Sequence, residues 1–236
     1  MHLYLIRHAD PIYDPDGLTE QGKKEAEALV KRLTDFGVNK IYSSNSIRSQ
    51  ETVRPTSEAL KIPTTVFNWF HEPSEIKIEQ DGKPYCVWDI YGENVRNTSP
   101  LPNDQTWMER YPFDSPVIKK HWDEFTANCD DFIETLGYKR EGNVYKIQNS
   151  NDDRVVISCH NGTVLYLISY LLNIPLPLVF TGFYAWPASI TDIYFDERSP
   201  EIAVPRALHV SDVSHIIGNG MTPQARGMGD RCPEYY

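Results

Sequence analysis

The chain has 236 residues, 40% of them hydrophobic and 24% charged, a composition typical of a globular protein with a substantial core. The net charge of −10 argues against a nucleic-acid-binding face, which needs clustered positive charge. The longest apolar stretch, residues 164–180, is interrupted by Asn173, Pro175 and Pro177, so it falls short of the roughly 20 apolar residues that span a bilayer.

The first part of the chain alternates strand and helix signals. Residues 2–6 are a short apolar run that predicts a buried strand. A helix is predicted from Thr19, a suitable N-cap, to Gly37, a typical helix end, because apolar side chains recur every three or four residues between them. Residues 39–44 predict a second strand, and residues 64–70, rich in β-branched and aromatic side chains, predict a third.

The segment that follows has a different composition. Residues 73–115 contain several prolines and glycines together with tryptophans and tyrosines, and this aromatic content argues against disorder. A helix is expected next, at about residues 116–136. We therefore expect one domain, residues 1–236, with an inserted lid or cap at about residues 73–137.

Strand signals return after the insert. Residues 154–159 are a fully apolar run, typical of a central strand in a largely parallel sheet. Residues 163–172 predict a helix, and residues 190–195 predict another strand. Because strands and helices alternate, we expect an α/β fold, a three-layer α/β/α sandwich with a mostly parallel central sheet.

Polar side chains that can bind an anion follow the predicted strands. They are Arg7 and His8 after the first strand, Arg48 shortly after the second, His71 and Glu72 after the third, and His160 and Asn161 after residues 154–159. Ligands of open α/β sheets bind outside the carboxyl ends of the strands, so these segments should converge on one crevice. Guanidinium groups bind phosphate through paired N–H donors, and a helix start at Asn161 adds backbone N–H groups. The sequence therefore predicts a phosphate site that contains a histidine nucleophile.

Four segments, taken together, resemble a known family. LYLIRHA, GLTEQGKKEAEALVKRL, IYSSNSIRSQET and VVISCHNGT are similar, in this order and spacing, to motifs of the histidine phosphatase superfamily, which includes the phosphoglycerate mutases. The resemblance spans about residues 2–165. The chain departs from the family pattern at Ala9 and Asn161, where glycine is usual, and at Glu51, where glutamine is common.

The resemblance implies roles for individual residues. His8 matches the histidine that is phosphorylated. Arg7, Arg48 and His160 match residues that bind the phosphate, and we expect His160 to take part in catalysis as well. Asn161, at the predicted helix start, is a further candidate for phosphate binding.

A carboxyl group is needed as the acid. Glu72 matches the acid of the family, which protonates the leaving oxygen and then deprotonates the attacking water. Glu75 and Asp10 are nearby carboxylates that stay open as alternatives, and His71 could orient or donate.

The implied activity is that of a histidine acid-type phosphatase, which hydrolyses a phosphomonoester through a phosphohistidine intermediate on His8. We expect no metal or cofactor, because cationic side chains neutralise the phosphoryl oxygens. Two alternatives stay open: a phosphotransferase of the phosphoglycerate mutase type, and a phosphoanion-binding scaffold protein with weak turnover. The opening RHADPIYDPDGLT lacks the longer polar stretch that mutases share, which favours the phosphatase.

Cysteine spacing and the composition of the insert bear on location and partners. The four cysteines are scattered and form no C-x-x-C pair, which predicts reduced thiols and a cytoplasmic protein. We expect a small phosphorylated substrate and neither a nucleic-acid nor a membrane partner, while assembly into a homo-oligomer stays open. The aromatic side chains of the insert could stack on a ring or sugar, and Arg96 or Arg110 could meet a second anionic group of the substrate.

Overall fold

The computed structural model describes residues 1–227, so Cys232 lies outside the described residues. The strands are β1 (His2–Arg7), β2 (Pro11–Tyr13), β3 (Asp16–Leu18), β4 (Lys40–Ser43), β5 (Thr64–Val66), β6 (Lys77–Gln80), β7 (Lys83–Cys86), β8 (Tyr138–Glu141), β9 (Val144–Ile147), β10 (Arg154–Cys159), β11 (Ile190–Asp196) and β12 (Ile202–Asp212). The helices are α1 (Glu20–Phe36), α2 (Ile47–Leu60), α3 (Gly92–Arg96), α4 (Pro116–Thr135), α5 (Asn161–Leu172), α6 (Leu176–Phe180) and α7 (Ser214–Gly218). None of the helices within residues 1–227 combines the length and apolar character needed to cross a membrane.

Eight strands form one sheet in the order β5-β4-β10-β1-β11-β12-β9-β8. Its first four strands run parallel, and their register aligns Tyr4 with Val156, Val156 with Ile41, and Ile41 with Thr64. β11 joins β1 in the antiparallel sense, and antiparallel pairing continues to β8. The parallel strands bring their carboxyl ends to one edge of the sheet, which is where such folds bind ligands.

Side chains of β1 alternate between the two faces of the sheet. Leu3 and Leu5 are buried in an apolar cluster with residues of α4, α5 and α6, whereas Tyr4 and Ile6 belong to a second cluster with residues of α1 and α7. Burying a leucine or isoleucine side chain contributes roughly 1.5–3 kcal/mol, so both helical layers are held to the sheet by apolar packing. The predicted three-layer α/β/α fold is confirmed.

Capping residues define the first two helices. The Thr19 hydroxyl accepts a hydrogen bond from a backbone N–H of the first turn of α1, and the helix ends at Gly37 with φ +69°, a conformation that favours glycine. Ser46 caps α2 in the same way. Because α2 begins directly after Ser46, Arg48 lies in its first turn, close to the carboxyl end of β4.

The third predicted strand is shorter than expected. Only Thr64–Val66 pairs with β4, and Asn68–Phe70 forms a 3-10 helical turn. Phe70 is fully buried, with its ring centroid 4.0 Å from that of Trp69 and 5.5 Å from that of Phe132 in α4. The prediction of a strand up to residue 70 is therefore wrong, because aromatic packing against α4 takes the chain away from the sheet.

Residues 73–115 contain more regular structure than their composition indicates. They form the β6–β7 hairpin, a 3-10 turn at Val87–Asp89, and α3. Trp88, Val95 and Trp107 are buried in the same cluster as α5 and α6. Apolar packing thus fixes this segment against one helical layer of the sandwich.

Candidate active site

His8 follows β1 at the carboxyl edge of the parallel strands. Its side chain is only 2% exposed, and its Nδ1 lies 2.9 Å from the carbonyl oxygen of Ala9. Because a carbonyl only accepts hydrogen bonds, Nδ1 carries the proton and Nε2 keeps its lone pair. Burial, with the charge of Arg7 nearby, holds the pKa of His8 well below its usual range. The ring is therefore neutral, and Nε2 has the lone pair of a nucleophile.

His160 lies opposite His8, with the two ring centroids 5.3 Å apart. It follows β10 and is the N-cap residue of α5. Nη2 of Arg48 donates to Nδ1 of His160 at 3.1 Å, so the proton of this ring lies on Nε2, which donates to Oγ of Ser44 at 2.9 Å. Burial, followed by the effects of His8 and Arg48, holds the pKa of His160 well below its usual range. This ring is neutral too.

Two guanidinium groups flank the histidines, that of Arg7 buried and that of Arg48 half-buried. Arg7 donates from Nη1 to the carbonyl of Ala185 at 2.7 Å and from Nη2 to the carbonyl of Arg226 at 3.0 Å. Arg48 donates from Nη1 to Oδ1 of Asp16 at 2.8 Å. In both arginines the Nε–H group is buried without a hydrogen-bond partner among residues 1–227. An unpaired buried donor is costly, and phosphate oxygens would supply the missing acceptors.

Glu72 reaches the site from the loop after β5. Its Oε1 accepts a hydrogen bond from the backbone N–H of Gly162 in the first turn of α5 at 2.7 Å. The Thr163 hydroxyl donates to the carbonyl of Phe70 at 3.2 Å, which ties the same loop to α5. Desolvation raises the pKa of Glu72, although the hydrogen bond from Gly162 and the charge of Arg7 oppose this shift. A carboxyl group with a raised pKa keeps its proton to higher pH, as a general acid requires.

Asn161 is the first residue of α5 and is buried. Its Oδ1 accepts a hydrogen bond from the N–H of Ala185 at 3.2 Å, and the carbonyl of Ala185 in turn accepts from Arg7. The side chain therefore supports the loop that holds Arg7. A direct contact between Asn161 and phosphate stays a prediction.

Asp10 is occupied by partners of its own. Its Oδ2 accepts from the Thr19 hydroxyl at 2.7 Å and from Nη2 of Arg226 at 3.1 Å, while Nε of Arg226 binds Oδ1. Both oxygens are thus engaged as acceptors, and Asp10 fits the role of a proton donor less well than Glu72. The C-terminal segment thus reaches the site at Arg226, whose side chain binds Asp10 and whose carbonyl accepts from Arg7.

Glu75 and His71 are exposed. Glu75 lies near enough to His121 of α4 to influence it electrostatically. The ring of His71 lies 5.5 Å from that of His160, centroid to centroid, so His71 is close to the site. Among the three carboxylates considered for the acid, Glu72 is the one bound to the start of α5.

A cavity of about 560 Å³ adjoins this site. Asn161 and Tyr184 lie on its wall, and the guanidinium of Arg7 lies 5.4 Å from the centroid of the Tyr184 ring. Six aromatic side chains line the cavity: Tyr85, Trp88, Tyr91, Phe180, Phe183 and Tyr184. The wall also contains Asp89, and burial raises the pKa of this carboxyl group to about 7. The aromatic content of the insert is thus placed beside the predicted phosphate site.

Sequence reasoning did not single out Ser44, Asp89 or Arg226. Ser44 had a usable signal, since it directly follows β4 in the segment that leads to Arg48. Asp89 and Arg226 had none, because both reach the site only through the packing of distant segments. Neither Arg96 nor Arg110, the two candidates for a second anionic group, lines the cavity, and Nη1 of Arg110 donates to the carbonyl of Pro100 at 2.7 Å.

A sequence model of the histidine phosphatase superfamily (branch 1) matches residues 3–206. No curated protein matches the sequence. Solved structures with a similar fold include phosphoserine phosphatase from Entamoeba histolytica in complex with 3-phosphoglyceric acid, with a TM-score of 0.60, 16% identity, and coverage of 91% of this chain and 98% of that chain. Mycobacterial glucosyl-3-phosphoglycerate phosphatase with inorganic phosphate is similar at a TM-score of 0.57 and 17% identity, covering 91% of this chain and 98% of that chain. At these identities the similarity establishes the fold.

Proposed function

The chain belongs to the histidine phosphatase superfamily, and from that premise we propose that it is a phosphatase that hydrolyses a phosphomonoester through a phosphohistidine on His8. The observation that supports this most directly is the protonation of His8. Its Nδ1 proton is held by the Ala9 carbonyl, so the Nε2 lone pair is free in a site with two guanidinium groups.

In the first step, the Nε2 lone pair of His8 attacks phosphorus in line with the leaving oxygen. The N–P bond forms as the P–O bond breaks, and the leaving oxygen takes the proton of Glu72. Arg7 and Arg48 hold the non-bridging oxygens and supply the positive charge. A contact of His160 with these oxygens stays a prediction, because its Nδ1 accepts from Arg48 and its Nε2–H is donated to Ser44. The proposed reaction therefore needs neither a metal nor a cofactor.

In the second step, water cleaves the phosphohistidine. Glu72, now a carboxylate, takes a proton from the water as its oxygen attacks phosphorus. The P–N bond breaks, its electron pair returns to Nε2 of His8, and inorganic phosphate leaves. The site is then restored to its starting protonation.

We propose that residues 73–137 act as a lid on a single domain, and that the lid selects the substrate. The supporting contact is between Trp88 and the start of α5, where a Cβ atom on Gly162 would lie 2.7 Å from the indole ring. From the cysteine spacing we keep the expectation of a cytoplasmic protein that acts on a small phosphorylated molecule.

The structure favours hydrolysis over the mutase alternative. A phosphoglycerate mutase must hold a substrate that has a carboxylate in addition to the phosphate. Within the described part of the chain, no lysine, arginine or histidine lines the cavity beside His8, and its wall contains Asp89. On the wall itself a second anion would therefore meet Asp89, while the guanidinium of Arg96 lies beside Gly182, between the wall residues Thr181 and Phe183.

The test is hydrolysis of p-nitrophenyl phosphate by the full chain in EDTA. We expect turnover that survives the chelator and falls by about 10³-fold or more in His8→Ala, because the nucleophile is removed. Rapid quenching into base, which preserves phosphohistidine, should trap labelled phosphate on the wild type and not on the variant.

His209→Ala is the matched control, since His209 lies on β12, two strands away from β1 in the sheet, and it should keep wild-type turnover. Loss of activity in EDTA that Mg²⁺ restores would overturn the metal-free mechanism. Absence of turnover on every ester, together with tight binding of vanadate, would instead support the scaffold alternative.

A further inference from the structure

We infer that the cavity beside His8 binds the cationic end of an amino-alcohol phosphate, with Asp89 and the surrounding aromatic side chains as its binding site. This inference rests on the proposed function, because the phosphate end of the same molecule would lie at His8. It names the chemical class of the leaving group, a small alcohol with a charged amine or quaternary ammonium.

The aromatic wall has the composition of a cation site. Faces of tyrosine and tryptophan attract cations through the quadrupole of the ring, and cages of such side chains bind quaternary ammonium groups. Here Tyr85 and Tyr91 are held together by a hydrogen bond between their hydroxyl groups at 3.2 Å, and their ring centroids lie 5.6 Å apart at 62°. Trp88 and Tyr184 add two further rings to the wall.

Asp89 is fixed in this wall by the hairpin next to it. The buried side chain of Gln80, at the end of β6, donates from Nε2 to the carbonyl of Asp89 at 3.1 Å. The Oε1 of Gln80 accepts from the N–H of Tyr91 at 2.7 Å. One side chain therefore positions both the acid and one of the aromatic rings.

The side chain of Asp89 is half-buried, and within residues 1–227 no hydrogen bond contributes to the shift of its pKa. A half-buried carboxylate among aromatic side chains is solvated less well than one in water, and a cation beside it offsets that loss. Desolvation and the nearby Glu72 raise the pKa of Asp89 to about 7, as expected for an acid that lacks its partner. A bound ammonium group would supply that partner.

The charged side chains around the site are separated, with the arginines at one end and Asp89 at the other. Arg7 and Arg48 lie at the His8 end, while Asp89 is the charged side chain on the described wall of the cavity. Arg7, and after it Lys77, also act on Asp89 electrostatically. Lys77 is exposed and directs its Nζ to Sγ of Cys86 at 3.0 Å. A zwitterionic ester, anionic at phosphorus and cationic at the far end, matches this arrangement, and a glycerate carboxylate does not.

The size of the cavity agrees with such a ligand. Its volume of about 560 Å³ lies within the roughly 300–1,000 Å³ that is usual for small-molecule sites. The space accommodates choline or ethanolamine beside the phosphate position.

The experiment compares phosphocholine with its neutral isostere 3,3-dimethylbutyl phosphate, which differs only in having carbon in place of nitrogen. We expect kcat/KM to be about tenfold higher for phosphocholine, and we expect Asp89→Asn to bring the ratio close to one. Asp114→Asn, which removes an exposed carboxylate from the insert, is the matched control and should keep the wild-type ratio. Equal kcat/KM values for the two esters in the wild type, or faster hydrolysis of 3-phosphoglycerate than of phosphocholine, would overturn the inference.

A binding measurement separates this inference from the proposed function. Trp88 lines the cavity, so choline should quench tryptophan fluorescence at lower concentration than 3,3-dimethylbutanol, in both the wild type and His8→Ala. This preference should disappear in Asp89→Asn. Hydrolysis of p-nitrophenyl phosphate without any preference for choline would refute the cation site alone, and choline binding without hydrolysis of any ester would refute the phosphatase alone.

Discussion

At the residue scale, burial shifts the two groups of the proposed mechanism in opposite directions. Desolvation lowers the pKa of His8, so the ring is neutral even in mildly acidic solution. It raises the pKa of Glu72, so this carboxyl group holds its proton above the usual range. One physical effect thus prepares a nucleophile and an acid at the same pH, which is the condition for the first chemical step.

This pair predicts an acid-type pH profile. For an alkyl phosphate, kcat/KM should fall as the pH rises through the raised pKa of Glu72, because the leaving oxygen then lacks its proton donor. The acid limb should lie well below the usual histidine range. The measurement is kcat/KM against pH for the wild type and for Glu72→Gln. If the fall at high pH came from ionisation of the substrate phosphate instead of Glu72, it would persist in the variant.

The same residue gives a prediction on leaving groups. Glu72→Gln should lower kcat/KM, which reports transfer of the phosphoryl group to His8, by about 10²–10⁴-fold on an alkyl phosphate, and much less on p-nitrophenyl phosphate, whose leaving group departs without protonation. Glu75→Gln is the matched control, because Glu75 is exposed, whereas Glu72 accepts the hydrogen bond from the first turn of α5. Equal losses in kcat/KM on the two substrates in Glu72→Gln would contradict the role of Glu72 as the proton donor to the leaving oxygen.

At the element scale, the first turn of α5 joins the acid, the insert and the sheet. A Cβ atom on Gly162 would lie 2.7 Å from the Trp88 ring and 3.1 Å from Oε1 of Glu72. Gly162→Ala should therefore displace both neighbours, lowering stability by about 1–3 kcal/mol and reducing kcat more than KM. Chemical denaturation and steady-state kinetics are the measurements.

Gly92→Ala is the control for that substitution. A Cβ atom at Gly92, in the first turn of α3, meets nothing within 4 Å. Alanine also favours helix over glycine by up to about 1 kcal/mol, so this variant should be as stable as the wild type or slightly more stable. Similar losses of stability in the two alanine variants would contradict the role of close packing at Gly162.

The elements that were predictable from the sequence are those with a strong local pattern. β1, α1, β10 and α5 follow from apolar runs, helical periodicity and caps, and they position Arg7, His8 and His160. The β8–β9 hairpin and β12 were not predicted. β8 is rich in charged residues and β12 contains Pro205, both of which weaken a strand pattern, and the pairing of β9 with β12 joins segments that are far apart in the chain.

The residues of the candidate site also fall into those that were predictable from the sequence and those that were not. Its side chains at the ends of parallel strands are predictable, since topology alone brings them together. Asp89 and Arg226 are not, because the first depends on how the β6–β7 hairpin packs and the second lies 216 residues from its partner Asp10. Their placement is a property of tertiary structure, which a single sequence pattern does not encode.

At the scale of the whole molecule, the beginning and the end of the described chain meet at the site. The carbonyl of Arg226 accepts from Arg7 at 3.0 Å and from the Tyr184 hydroxyl at 2.8 Å, while its side chain binds Asp10. Assembly of the site therefore requires the sheet, the loop at Tyr184 and the C-terminal segment together. Activity should be lost with the cooperative unfolding of the fold and not before it.

Global stability should also depend on pH through Glu25, a buried residue of α1 whose oxygen accepts the backbone N–H of Asp10. Desolvation raises its pKa from 4.5 to about 7, so the folded state favours the protonated form. The contribution of Glu25 to the free energy of unfolding is complete below pH 4.5 and is lost as the pH rises through 7. The loss amounts to up to about 3 kcal/mol. Urea unfolding at about pH 5 and about pH 8 measures it.

Glu25→Gln keeps a hydrogen-bond acceptor for the Asp10 N–H and cannot ionise. We expect its free energy of unfolding to match the wild type near pH 5 and to exceed it by about 2–3 kcal/mol near pH 8, where the wild type buries a charge. Glu27→Gln, two residues along the same helix on its exposed side, should reproduce the pH dependence of the wild type. If Glu25→Gln and the wild type lost stability in parallel between the two pH values, the raised pKa of Glu25 would be refuted, and the loss would have to come from other buried acids such as Asp89.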